Sequence, residues 1–229
     1  MYKVDQTIKR KAFFGFSCLI LIMGLLLFIP AGTLNFWEAW VYLLIFSTSS
    51  LLITLFLMRK DVELLKRRLN AGAAAENERN QKIIQTFAQI FFIGILIVPG
   101  LDHRFNWSDV SLKLVITGDI FVALGFFIVF LVFKENSFTS AIIEVAEEQK
   151  VISTGPYKLV RHPMYSGALL LLLFTPFALG SFWSLTFAIL MIIVIIYRLL
   201  DEEKFLLKNL PGYKDYCQKT GFRLIPWVW

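Results

Sequence analysis

The chain has 229 residues, 57% of them apolar and 17% charged, with a formal net charge of +6. That balance excludes an ordinary soluble domain and describes an all-α, polytopic membrane protein. The positive charge suits anionic headgroups beside a bilayer and calls for no nucleic-acid partner.

Six apolar stretches approach or exceed the roughly 20 residues that a bilayer-crossing helix needs: 12–30, 37–57, 83–101, 111–133, 163–180 and 181–200. The first follows Lys9, Arg10 and Lys11, as a signal peptide would, but no small-residue cleavage site follows Pro30, so it is expected to be retained. With these spans, 4 basic residues fall in 1–11, 7 in 58–82, 4 in 134–162 and 6 in 198–229, all on one side. Arg104 and Lys113 alone fall on the other, so both termini are expected to be cytoplasmic.

The chain reads as one membrane domain, with four spans in 1–133 and a loop, a helical hairpin and a tail in 134–229. In the first part, 61–72 reads as an interfacial helix with Val62, Leu65 and Leu69 on one anchoring face. The polar linker AAAENERNQK follows it, and little chemistry is expected there. Asp119 is a functional candidate as an ionisable residue inside a span, but its closeness to the external end lets it reach water or a neighbouring helix instead. Asp102, His103 and Arg104 read as an interfacial loop cluster in the external connection 101–110. Cys18 lies in a span and Cys217 in the tail, so they are read as free thiols.

The second part differs in kind. Residues 134–162 form a long polar loop with room for a short strand or helix near 141–146. In Thr154-Gly155-Pro156-Tyr157, Pro156 sets a turn and is expected to hold Gly155 extended. Pro163 suits the first position of a helix and keeps His162 out of the α region. Arg161-His162-Pro163 therefore marks a helix start, where free N–H groups and the helix dipole favour an anion. The same triplet would also serve simply to end a span against lipid phosphates.

At the far end of the hairpin, Arg198 and Glu202 share one helical face. Hairpin geometry brings residues 157–165 and 198–203 to one membrane level, a concentration of polar groups unusual beside lipid. The chain lacks a Gly-x-Gly pair and a phosphate-cradling loop, and its two histidines lie on opposite sides, so no metal site is expected. Ser166 lacks the elbow setting of a hydrolase nucleophile.

ENSF at 135–138, TGPYKLVRHPMYSG at 154–167, the glutamates at 202 and 203, and LPGYKDY with FRLIPWVW at 210–229 resemble the isoprenylcysteine carboxyl methyltransferase family, itself related to phospholipid methyltransferases. The resemblance covers 134–229 and implies an S-adenosyl-L-methionine-dependent methyltransferase serving a lipophilic acceptor that arrives from the bilayer. It implies cofactor contacts from Gln149, Lys150, Val151, Ile152, Tyr157, Arg161, His162, Pro163, Met164 and Glu202, with Glu203 the alternative one position on. Arg198 matches the arginine facing the acceptor's reacting group, so Arg198 and Glu202 are the expected catalytic pair.

The residues agree chemically. Methyl transfer from an activated donor needs positioning and exclusion of water more than an acid or base. An arginine suits a carboxylate acceptor better than an amine. Phospholipid N-methylation, a sterol-reductase-like enzyme and a non-enzymatic membrane scaffold are the competing readings. A 2′-phosphate of a nicotinamide cofactor would need arginines that are not evident near 150–165.

Overall fold

The computed structural model describes residues 6–76, 78–146 and 148–229. Lys3 of the N-terminal basic group, Asn77 of the polar linker and Glu147 of the long loop lie outside the described residues. The described chain is helical: α1 (Gln6–Ala31), α2 (Trp37–Lys60), α3 (Val62–Leu69), α4 (Arg79–Phe105), α5 (Leu112–Glu135), α6 (Pro163–Ala178), α7 (Leu185–Asn209) and α8 (Tyr213–Lys219). Helices α1, α2, α4 and α5 are long and apolar enough to cross a membrane, and α6 is a shorter apolar helix of 16 residues. The chain is an integral membrane protein.

Lipid explains the distribution of side chains along these spans. Large apolar residues such as Phe14, Leu21, Leu44 and Ile120 point outward and are exposed. The interior is held by Met23 and Leu27 of α1, Tyr42 of α2, Leu96 of α4 and Val122 of α5, all fully buried. With no water to expel between spans, close backbone approach must supply much of the packing. The α5–α6 pair does this with glycine: a Cβ on Gly125 would sit 2.7 Å from the Gly167 carbonyl oxygen, and one on Gly167 would sit 2.9 Å from that of Gly125. Gly118 makes the same approach to the backbone of Ala178, so α6 lies along most of α5.

Several expectations need correcting. Residues 101–105 continue α4 instead of forming a loop, because Asp102 is satisfied within the fold. Its carboxylate accepts from Ser108 N at 2.7 Å, Ser108 Oγ at 2.7 Å and Ser181 Oγ at 2.5 Å, binding α4 to the hairpin turn. His103 stacks on Phe36. Asp119, expected to reach water or a neighbouring helix, is 8% exposed and takes the second of these, facing the bundle. On helix α3 the expected anchoring face is split, with Leu65 buried in the bundle beside Leu64. Asp61 caps it through Leu64 N at 2.9 Å, and Leu64 and Leu65 pack on Leu57, Met58 and Phe133, leaving Leu69 exposed. Residues 141–146 form neither strand nor helix, since their N–H groups bond to side chains: Ile142 to Ser140 Oγ, Ile143 to Glu76 and Ala146 to Gln149. Gly155 is left-handed, not extended, with φ +55°, and a Cβ there would meet the Glu135 carboxyl at 2.9 Å.

The hairpin turn spans 179–184, so α7 begins later than expected and runs on through Asn209, past the apolar stretch. Its charged half, the start of α6, α8 and the tail gather at one end of the bundle. A separate cluster of Val132, Tyr157, Leu210, Tyr213 and Tyr216 holds that end together.

Candidate functional site

The start of α6 is fixed by the tail. Arg161 N donates to Phe222 O at 2.9 Å and His162 N to Arg223 O at 3.0 Å, a short extended pairing before Pro163. Ser166 Oγ then donates to Leu224 O at 2.6 Å. Pro163 opens the helix as the sequence indicates, with His162 at φ −126° and ψ 62°. In the first turn, the N–H groups of Met164 and Tyr165 have no preceding helical carbonyl to bond.

Beside this helix start lies a cavity of about 300 Å³. One wall comes from residues within 136–144 and 149–152, the second from His162 and the start of α6 as far as Ala168, and the third from Arg198, Glu202 and Leu206 of α7 with Tyr213 and Tyr216 of α8. Of the expected residues, Gln149, Lys150, Val151, Ile152, Tyr157, Arg161, His162, Pro163, Met164, Arg198 and Glu202 all line it. Glu203 does not. Successive residues on a helix point about 100° apart, so α7 offers the cavity only one of the two glutamates.

Glu203 instead closes a buried network behind the cavity. Its carboxylate meets Arg161 Nη1 at 2.6 Å, Arg223 Nε at 2.8 Å and His162 Nε2 at 3.7 Å. Burial pushes the Glu203 carboxyl up, but hydrogen bonds from His162 and Arg223 and the charges of Arg161 and Arg223 outweigh it and hold it at about 2. Arg161 also donates to Gly221 O at 3.1 Å. Although it lines the cavity, its guanidinium is engaged in joining α7 to the tail.

Glu202 points the other way, accepting from Tyr165 Oη at 2.5 Å. Arg198 and Glu202 share a face, yet they are not each other's partners. Arg198 Nη2 meets Glu76 Oε1 at 2.8 Å and Ala141 O at 3.0 Å, and Nη1 donates to Gln81 Oε1 at 2.9 Å. Gln81 in turn donates to Asp201. Glu76 also accepts from Ile143 N and Gln85 Nε2, both at 3.4 Å. A residue from the polar linker before α4 thus sets the arginine and pins the loop over the cavity.

The loop has further ties. Asn136 Nδ2 donates to Tyr157 Oη at 2.8 Å, and Glu135 accepts from Thr154. Arg67 and Arg68 of α3 donate to the carbonyls of Ser137 and Ser140, each at 2.9 Å. Gln149 Oε1 accepts from Ala146 N at 2.9 Å, so its side chain closes a loop turn. Burial pushes the Tyr157 hydroxyl up to about 12, and Tyr213 and Tyr216 are raised by the same cause. All three therefore present neutral hydroxyls near neutral pH.

Arg68, Glu76 and Gln81 are the site residues that sequence reasoning missed. They precede the resembling segment, and a glutamate in AAAENERN carries the pattern of a solvated linker. Nothing local in the sequence announces its pairing with α7.

Two comparisons with known proteins bear on this arrangement. The phospholipid methyltransferase (PEMT) family model matches residues 114–211, which include α6, the loop before it and the whole of α7. Over 128 residues the chain is 32% identical to a "Probable protein-S-isoprenylcysteine O-methyltransferase" of Oryza sativa subsp. indica, and equally to the protein of the same name in Oryza sativa subsp. japonica. That match takes in 55% of this chain and spans 64% of the length of these curated relatives. Both findings support the family resemblance carried by the RHP and double-glutamate motifs.

Proposed function

We propose that this chain, similar to phospholipid and isoprenylcysteine methyltransferases through its second half, is a membrane-embedded methyltransferase that uses S-adenosyl-L-methionine to methylate a carboxylate on a lipophilic acceptor. The observation that carries the reading is the single cavity in which the first turn of α6, Glu202 and Arg198 face one another. The positive-inside bias supports a cytoplasmic face for this cavity and for both termini.

The residues fit such a donor. The N–H groups at the start of α6 suit its carboxylate, and the Glu202 carboxylate suits ribose hydroxyls or its cationic groups. Tyr157, His162, Pro163 and Met164, with the backbone of 149–152, would enclose the remainder. When bound, S-adenosyl-L-methionine supplies an electrophilic methyl group on a sulfonium. A carboxylate acceptor would already be deprotonated, so its oxygen would take the methyl group without a general base from the chain, the C–S electron pair remaining on the donor's sulfur. The protein's contribution is alignment and dryness: Arg198, held by Glu76, fixes the acceptor side, and the loop tied to Arg67, Arg68 and Glu76 keeps water out.

The family description favours one second reading, methyl transfer to the amine of a phospholipid. Transfer of labelled methyl from S-adenosyl-L-methionine into a total lipid extract supplemented with prenylcysteine analogues separates the two. Base-labile label indicates an ester; base-stable label sinks the carboxylate reading. Stabilisation of the purified protein by S-adenosylhomocysteine, lost in Glu202→Ala and His162→Ala, is expected; its absence in the wild type overturns both.

A further inference from the structure

Besides Arg161, which is bound to Glu203, two arginines line the cavity, and they are not equivalent. Arg198 is neutralised at 2.8 Å by Glu76. Arg68 lines the same cavity, lies over the Phe133 ring at 5.2 Å and donates from Nη1 to Ser140 O, but no carboxylate among the described residues comes within ion-pair distance of it. Tyr165 and Arg198 are its electrostatic neighbours, and burial lowers its proton affinity. The acidic residues lining the cavity are Glu144 on the loop, which makes no ion pair with Arg68, and Glu202, which is already bonded to Tyr165 on α6.

Arg68 is half-buried, and a cation partly withdrawn from water without a counter-charge is unfavourable, so an anion arriving beside it reduces that penalty. A guanidinium also matches a carboxylate with two parallel hydrogen bonds. Helix α3 brings Arg68 in on the same side as Leu64, Leu65, Phe133 and Met164, an apolar surround suited to the first carbons of a lipophilic group.

We infer that Arg68 is the anchor for the acceptor's anionic group, and that the site selects carboxylate-bearing lipophilic acceptors over neutral ones through this residue. The inference rests on the methyltransferase reading of the cavity and deepens it. Arg198 then serves as a fixed, charge-compensated wall beside the reacting oxygen, and Arg68 supplies a guanidinium without a carboxylate partner for the acceptor to meet.

The test uses the full chain in detergent, saturated with S-adenosylhomocysteine, and measures binding of N-acetyl-S-farnesylcysteine against its carboxamide. The wild type is expected to prefer the carboxylate by about tenfold or more, corresponding to about 1.4 kcal/mol. Arg68→Gln is expected to reduce that preference to within about twofold while S-adenosylhomocysteine still stabilises the protein, and Arg68→Lys to keep part of it. Because Arg68 also holds the loop at Ser140, the lysine variant separates charge from loop anchoring. The inference is overturned if Arg68→Gln keeps the full preference, if the preference disappears only in Arg198→Gln, or if Arg68→Gln loses S-adenosylhomocysteine stabilisation. Failure of the wild type to bind S-adenosylhomocysteine would instead remove the methyltransferase reading on which the inference rests.

Discussion

The Glu76 carboxylate and the Arg198 guanidinium lie 2.8 Å apart, with 1% and 11% of their side chains exposed. One comes from the linker before α4 and the other from the charged half of α7, so this pair couples the N-terminal spans to the cavity. Removing one partner of a buried pair strands the other charge, at a cost of about 3–5 kcal/mol. Glu76→Ala should therefore lower the thermal midpoint in detergent, and Ile143 should lose its tie to the linker. An unchanged midpoint would show that water already screens the pair.

The adjacent glutamates of α7 should respond oppositely. Glu202→Gln is expected to leave the ligand-free midpoint nearly unchanged and to weaken S-adenosylhomocysteine binding by about tenfold or more, the worth of a charged hydrogen bond. Glu203→Gln frees Arg161 and Arg223 inside the fold and should lower the ligand-free midpoint instead. Thermal shifts with and without the ligand read both effects; the reverse pattern would exchange the roles given to the two residues.

Their legibility in sequence differed for a physical reason. The hairpin, the start of α6 at Pro163 and the polar end of α7 follow from local chemistry: apolar length, proline and charge. A choice between Glu202 and Glu203 depends on the rotation of α7 against α6 and the tail, which a one-residue ambiguity in motif alignment cannot settle. Arg68 and Glu76 were not legible at all, since their partners are set by the packing of α3 and α4. Gly155 was misread because the preceding-proline rule describes residues that carry a Cβ, whereas glycine reaches a positive φ freely and here lies where a Cβ would meet Glu135.

Acid stability should report on Glu203. Its folded carboxyl is held at about 2 against an ordinary 4.5, so the unfolded chain binds the proton more readily across that window. Its contribution is present above about pH 4.5 and is lost as pH falls toward 2. Denaturation midpoints measured from pH 6 down to 3 should fall less steeply in Glu203→Gln than in the wild type. Equal slopes would assign the acid limb to other carboxylates.

The glycine contact between α5 and α6 should be intolerant of size. Gly167→Val sets a branched side chain where even a Cβ would be 2.9 Å from the Gly125 carbonyl oxygen, so the helices must separate. Overpacking of this kind costs about 1–3 kcal/mol, and the displaced α6 also carries His162, Met164 and Tyr165 of the cavity. Loss of both thermal stability and S-adenosylhomocysteine binding is expected. Retention of binding at wild-type affinity would show that the first turn is positioned by the tail alone.

Helix α6 has 16 residues and rises about 24 Å, whereas a bilayer's hydrocarbon core is about 30 Å thick. Its far end is fastened at the hairpin turn, where Ser181 bonds to Asp102 near the end of α4. On the proposed placement the shortfall would fall at the other end, setting Pro163 and the cavity mouth below the headgroup plane unless the bilayer thins to meet them. Lifting an isoprenoid or acyl chain into water costs about 0.8 kcal/mol per methylene. For the lipophilic acceptor proposed above, a sunken mouth would spare most of that climb, letting its head reach the cavity while its tail stays dissolved in the membrane.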